Sequence, residues 1–201
     1  MWKLFFIVVV ILYICFEIFK YVNYIPVVAY DNNTYYLSQC KNCDDKLVES
    51  ANTLAKINEN ILILIKYLGE NQPQHPVTKF LIKNYQSKIL QETIPESGLI
   101  SYTENKSTIN MCLRSRDADN KIYNVNILTY VVLHELAHFC NYNWIGFPII
   151  GHGNEFRKIF KFLVENAIKC KIYIFDDYRV APKDYCGLTL RTNIIPENYP
   201  L

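Results

Sequence analysis

The 201-residue chain has almost no net charge, no basic tract, no internal repeat and only four histidines. With 21 Lys and Arg against 19 Asp and Glu, its formal charge of +2 excludes the gathering of nucleic acid or acidic substrates by bulk electrostatics. Setting aside residues 1–30, which hold Lys3, Glu17 and Lys20, brings the remainder closer still to neutral. A second C-x-x-C is missing, so Cys40 and Cys43 cannot complete a four-ligand zinc knuckle. The length excludes two full domains and allows one of about 150 residues with an appendage.

Long apolar runs are also scarce, with one exception. Leu4 to Phe16 reads LFFIVVVILYICF without a charge, and only Lys3 and Glu17 interrupt Trp2 to Phe19. At about 1.5 Å per residue that span approaches the ~30 Å hydrocarbon core of a bilayer. A transmembrane signal-anchor over residues 1–21 is the leading expectation, with Trp2, Tyr21 and Tyr24 as interfacial aromatics and residues 2–19 in the membrane. A cleaved signal peptide and a buried core helix are the competing readings. Lys3 and the amino group slightly outweigh Lys20 and Glu17, which favours a single-pass protein with its domain on the extracytoplasmic or lumenal side. Two sequons, at Asn32 and Asn105, would be usable there. Of seven cysteines, Cys15 lies in this run; the other six are compatible with disulfides in an oxidising compartment.

Residues 22–43, rich in Tyr and Asn and holding Pro26, read as a tether. Apolar residues at three- and four-residue spacing predict a helix from Asp44 to about Leu68, stopped by Gly69, and a second helix covers Val77 to Leu90. Two strands, Gly98 to Thr103 and Thr108 to Leu113, make a hairpin. A helix from Tyr123 to about Asn141 follows, then a loop with Gly146, Pro148, Gly151 and Gly153. Asn154 caps another helix, Lys171 to Phe175 is a short strand, and residues 176–201 have little regular structure.

The helix from Tyr123 carries His134-Glu135-Leu136-Ala137-His138. Residues four apart share one helix face, so both imidazoles can reach one metal at ~2.0 Å, a geometry suited to zinc. Glu135 projects beside that metal, placed to take a proton from an attacking water and deliver it to a leaving amine. A chance H-E-x-x-H is expected in roughly one such sequence in a few hundred, and burying three titratable groups unpaired costs several kcal/mol. A catalytic zinc needs a third protein ligand. His152, beyond the turn-rich loop, is the first choice, with Glu155 and Glu165 as alternatives. His75, in a Pro-flanked loop, reads as merely exposed. Cys140, two residues past His138, points to another face and reads as packing or half of a disulfide.

HELAH at 134–138 followed by H-G-N-E-F at 152–156 resembles the SprT-like and WLM families of minimal zincin peptidases, whose signature is HELxH and then, past a short loop, His with Phe four residues on. The likeness covers residues 95 to 168. It implies one catalytic Zn2+ held by His134, His138 and His152, with Glu135 as general base and a peptide substrate along an edge strand. The DNA-directed duty of SprT-like proteins is not implied, because no zinc ribbon or basic stretch is present. Tyr178 and Tyr185 are candidate oxyanion donors, although packing explains each as well.

The expected fold class is α+β: a minimal zincin-like domain over 44–201, its small mixed sheet packed on the HExxH helix and flanking helices, preceded by one transmembrane helix. The expected function is a membrane-anchored zinc metallopeptidase acting on peptide or protein substrates, with no nucleic-acid partner. The alternative is an inactive zincin-fold module that binds a partner without cutting it.

Overall fold

In the computed structural model, residues 2, 5–11, 23–39, 46–117, 119–143 and 145–195 are described. The longest helix, α1 (Leu47–Asn71), forms where the apolar spacing is most regular. Leu54, Ile57, Ile61, Leu64 and Leu68 line one buried stripe, each contributing about 1.5–3 kcal/mol by leaving water. Gly69 does not stop this helix, which runs two residues further. A β-carbon there would lie 3.5 Å from Ile82 of the next helix, α2 (Pro76–Asn84), an ordinary van der Waals contact, so the helix pair does not depend on this glycine.

His75 is not the exposed loop residue expected. It caps α2, its Nδ1 accepting from the Val77 amide at 3.3 Å, and its ring stacks on Phe162 with centroids 3.7 Å apart. Burial lowers its pKa, so the neutral ring both caps and stacks. The unfolded chain then binds the extra proton more readily near and below pH 6.5, and stability should fall as pH drops from 7.5 to 5.5. Thermal melts of wild type against His75→Ser, which keeps a cap but not the titration, should converge or cross on acidification; parallel curves would remove His75 from the acid response.

The sheet is five-stranded, ordered β1 (Tyr24–Val28), β2 (Thr34–Ser38), β3 (Leu90–Glu92), β5 (Thr108–Met111), β4 (Tyr102–Glu104). The outer pairs are antiparallel, whereas β2–β3 and β3–β5 are parallel. Residues 24–38 are thus a hairpin of the main sheet rather than part of a tether. Asp31 turns it by accepting from the Asn33 amide at 3.0 Å, Tyr35 and Leu37 face the core, and Pro26 is tolerated because β1 is an edge. Tyr24, expected at a membrane interface, opens β1 and accepts from Gln91 of β3 at 3.2 Å. The second helix ends at Asn84, six residues early, because Leu90 and Glu92 are drawn into the sheet.

A buried ion pair ties these strands together. Arg114, just past β5, donates from Nε to Glu92 Oε1 at 2.7 Å and from a terminal nitrogen to Oε2 at 2.7 Å. It also reaches Ser38 Oγ at 3.0 Å, while the Ser38 amide donates to Glu92 at 3.1 Å. Burial raises the Glu92 pKa, and the Arg114 bonds pull it back.

Helices α3 (Val125–Cys140) and α4 (Asn154–Lys169) pack against each other and α1. Lys171 to Phe175 is irregular instead of a strand, and the tail instead forms the hairpin β6 (Lys183–Tyr185), β7 (Leu188–Leu190). A disulfide, Cys112–Cys186, fastens that hairpin to the end of β5. Cys140 is a buried free thiol and Cys170 a partly buried one. The Cys40 and Cys43 pair lies outside the described residues.

Two finer expectations are corrected. The α+β class describes the chain, but the zincin-like domain does not: the sheet draws two strands from the expected tether and a third, Leu90–Glu92, that begins at the last residue of an expected helix. The transmembrane helix over 1–21 is not found either, since no helix among the described residues is long and apolar enough to cross a membrane. Residues 5–11 are helical, spanning roughly 10 Å of a ~30 Å core; residues 12–22 lie outside the described ones. Single-pass placement, the extracytoplasmic side for the domain and membrane contact through residues 2–19 lose their basis with it.

Candidate metal centre

Helix α3 is rigidly placed before its polar residues are considered. Asn124 caps it by accepting from the Asn126 amide at 2.8 Å, and Leu128, Val132, Leu133, Leu136 and Ala137 are fully buried. Asn60 of α1 donates to Thr129 at 3.1 Å across the interface. His134 and His138, one turn apart on this fixed helix, lie on the face toward α4, with ring centroids 4.9 Å apart.

The chain then returns through a loop whose turns are each hydrogen-bonded. Asn143 accepts at Oδ1 from the amides of Ile145 and Phe147, at 3.0 and 2.8 Å, and the Ile149 amide donates to the Asn141 carbonyl at 2.9 Å. Gly146 and Gly151 adopt φ of 90° and 84°, where a β-carbon would be strained. Lys106, in the β4–β5 turn, donates to the carbonyls of His138, Asn141 and Ile149. Its ammonium therefore neutralises the carboxyl end of α3 and clamps the loop that delivers His152.

Three imidazoles converge as a result. His152 Nε2 lies 3.0 Å from His134 Nε2 and 3.1 Å from His138 Nε2, and the ligand atoms all lie within 4.8 Å of one another. Tetrahedral zinc with Zn–N near 2.0–2.1 Å sets neighbouring nitrogens about 3.3 Å apart, close to what is found. The donor set fits for a second reason. His152 Nε2 offers either one proton or one lone pair, so it can make one well-directed hydrogen bond and not two to the flanking nitrogens. Burial, reinforced by the other two rings, lowers His134 to about 3. Burial, then His152 and Lys106, lowers His138 to about 4. Both rings are neutral at pH 7, as metal ligands must be.

Phe156 explains the aromatic four residues after His152. It opens α4 and packs against all three imidazoles, with centroids 4.8, 4.3 and 4.7 Å from His134, His138 and His152. Phe160, one turn on, sits 5.2 Å from His134. Together they form an apolar wall behind His134 and His138, while His152 stands exposed. The helix is capped by Gly153 rather than Asn154.

Glu135 is 3% exposed, and burial raises its carboxyl to about 7 against the lowering effect of its hydrogen bonds. Thr103 of edge strand β4 donates to the Glu135 carboxylate and carbonyl, both at 2.9 Å. Beside it a closed ring of bonds joins Ser101, Cys112 and Tyr185. The Cys112 amide donates to Ser101 Oγ at 2.9 Å, Ser101 pairs with the Tyr185 hydroxyl at 2.7 Å, and Tyr185 donates to the Cys112 carbonyl at 2.8 Å. Burial first, and the Glu135 charge among lesser causes, raise the Tyr185 pKa. Tyr185 is thus spent on structure, and Tyr178 packs against Tyr130, with centroids 5.1 Å apart.

The structure brings together His134, His138 and His152 and leaves out the alternatives. Glu155 pairs with Lys158 at 2.7 Å and Glu165 with Lys161 at 3.7 Å, both on α4, while His75 caps α2. Sequence reasoning missed Thr103 and Lys106. Thr103 carried a faint signal as a hydroxyl in the hairpin preceding HELAH; Lys106, a turn lysine in a sequon, carried none.

No family model matches the chain. It is similar to the uncharacterized protein R325 of Acanthamoeba polyphaga mimivirus, 34% identical over 169 residues, which cover 82% of this chain and 80% of R325. It is also similar to the uncharacterized protein 136R of Invertebrate iridescent virus 6, 25% identical over 159 residues, covering 65% of this chain and 84% of 136R. A third relative is the uncharacterized protein 042R of Invertebrate iridescent virus 3, 38% identical over 88 residues, covering 44% of this chain and 50% of 042R. No solved structure matches, so the zincin assignment has no structural relative behind it.

Proposed function

The chain belongs to the same family as the mimivirus protein R325, and from its histidine cluster we propose that it is a zinc-dependent metallopeptidase. The observation that carries this reading is the convergence of three imidazoles, with His152 Nε2 3.0 and 3.1 Å from the Nε2 atoms of His134 and His138, and a buried carboxylate next in sequence to the first. The likeness of HELAH and HGNEF to SprT-like and WLM motifs supports the same chemistry. Zinc held by His134, His138 and His152 would polarise a peptide carbonyl and lower the pKa of a water.

The chain's own groups supply the rest. Glu135, with its carboxyl lifted to about 7, matches the operating pH of a general base that takes a proton from the attacking water and hands it to the leaving amine. Thr103 holds one carboxylate oxygen and leaves the other free to work. Phe156 and Phe160 keep water off the back of the imidazoles, which strengthens every charge interaction in front of them.

A second reading, a module that holds zinc and binds a partner without cutting it, draws on the deep burial of Glu135. Metal analysis and turnover separate the two. Four-ligand zinc sites bind with about 10–16 kcal/mol, roughly 3 kcal/mol per ligand, so His152→Ala should lower zinc affinity by about two orders of magnitude. Purified full-length wild type should hold one zinc and cleave an unfolded protein. Unchanged zinc affinity in His152→Ala, read by chelator competition, would send the third ligand elsewhere, and stoichiometric zinc without cleavage would leave the binding module.

A further inference from the structure

A groove of about 770 Å³ borders the carboxyl end of α3 and is lined by Lys79, Lys83, Lys88 and Lys106 with no acidic side chain. Four cations on one surface contrast with a net charge of +2 over the whole chain. Lys79 and Lys83 stand one turn apart on α2, Lys88 lies in the 3-10 turn Ser87–Ile89, and Lys106 comes from the β4–β5 turn. Among the described residues no carboxylate lies within ion-pair distance of any of them. The floor is apolar, built on Phe80 and Tyr142.

We propose that this groove binds an acidic polypeptide segment of the substrate, its carboxylates on the exposed Lys79, Lys83 and Lys88 and an apolar side chain on the floor, while Lys106 adds its charge with its three N–H groups already on carbonyls. The proposal deepens the metallopeptidase reading and rests on it for the word substrate. Lys106 makes the connection: the ammonium that lines the groove also donates to the His138 carbonyl, so the groove and the histidine helix share one residue. The volume exceeds what a lone phosphate or carboxylate fills and suits several side chains. The aromatic floor is not a platform for nucleobases. Phe80 and Tyr142 pack on one another with centroids 5.1 Å apart, and the Lys106 ammonium sits 5.5 Å from the centre of the Tyr142 ring, so these rings are already engaged.

The test uses the full chain, zinc-loaded and zinc-free, with fluorescence anisotropy of four probes: a 12-residue peptide of Asp, Glu and Phe, its Asn and Gln isostere, its Lys counterpart, and a 12-nucleotide thymidine oligomer. The acidic peptide should bind about tenfold or more tighter than the other three and weaken as salt rises. Lys79→Glu combined with Lys83→Glu should remove that preference while zinc content and melting temperature stay at wild type; both residues are exposed. Equal binding of the isostere, tighter binding of the oligomer, or no effect of the double reversal would overturn the groove assignment. Because anisotropy needs no turnover, a protein that binds the acidic peptide but holds no zinc would sink the metallopeptidase reading alone. One that cuts without acidic preference would sink the groove alone.

Discussion

Replacing Glu135 by Gln is expected to lower peptide hydrolysis by about 10²–10⁴-fold while zinc remains bound at one per chain. The amide keeps the shape of the carboxyl, and its oxygen can still accept from Thr103, but it cannot carry a proton through the reaction. The same substitution should raise the stability of the metal-free protein at alkaline pH. A carboxyl whose folded pKa stands near 7, above its unfolded value of about 4.3, stabilises the fold while protonated and loses that contribution as pH rises through 7. At pH 8 wild type therefore carries the cost of a buried ionised carboxylate, a few kcal/mol, and Glu135→Gln does not. Paired measurements of cleavage and of metal-free melting at pH 8 check both halves. Cleavage at the wild-type rate would end the general-base assignment.

The second large effect concerns the frame. Arg114→Ala should destabilise the protein by about 3–5 kcal/mol, because it strands the Glu92 carboxylate in the interior. The side chains of the pair are 4% and 3% exposed, so water cannot take the place of the guanidinium. Arg114→Met with Glu92→Leu should cost less, since no buried charge is left unpaired and the Ser38 amide and hydroxyl that lose these partners are neutral. Urea unfolding of the single and double variants tests this. A loss under about 1 kcal/mol in the single variant would mean that water reaches Glu92 after all.

The histidine cluster was more legible in the sequence than the sheet. His134 and His138 announce themselves because a helix of period 3.6 must put residues four apart on one face, and a Gly- and Pro-rich loop after Asn141 implies a return that brings His152 back. The hairpin β4–β5 was readable because its turn and both strands are adjacent in sequence. Strand β3 was not. Three residues, Leu90 to Glu92, become a strand only through partners at Tyr36 and Ile109, far along the chain in both directions, and local propensity carries no trace of such pairing. In residues 22–43 the alternation of Tyr35 and Leu37 was hidden by the surrounding Tyr and Asn. The apolar run from Leu4 misled by composition, since an uncharged stretch reads the same whether or not a helix spans it. Thr103 was faint and Lys106 invisible because each acts on a helix about thirty residues further on.

The Cys112–Cys186 bridge sets an order on biosynthesis. The ribosome releases the HExxH helix and its histidines well before Cys186, 74 residues beyond its partner, can emerge. Until then the Ser101–Tyr185–Cys112 ring beside Glu135 lacks one of its three members, and the pocket around that carboxylate stands open. Vectorial synthesis thus leaves nascent chains, and any product truncated before the last hairpin, with the three histidines in hand but without the tyrosine beside Glu135.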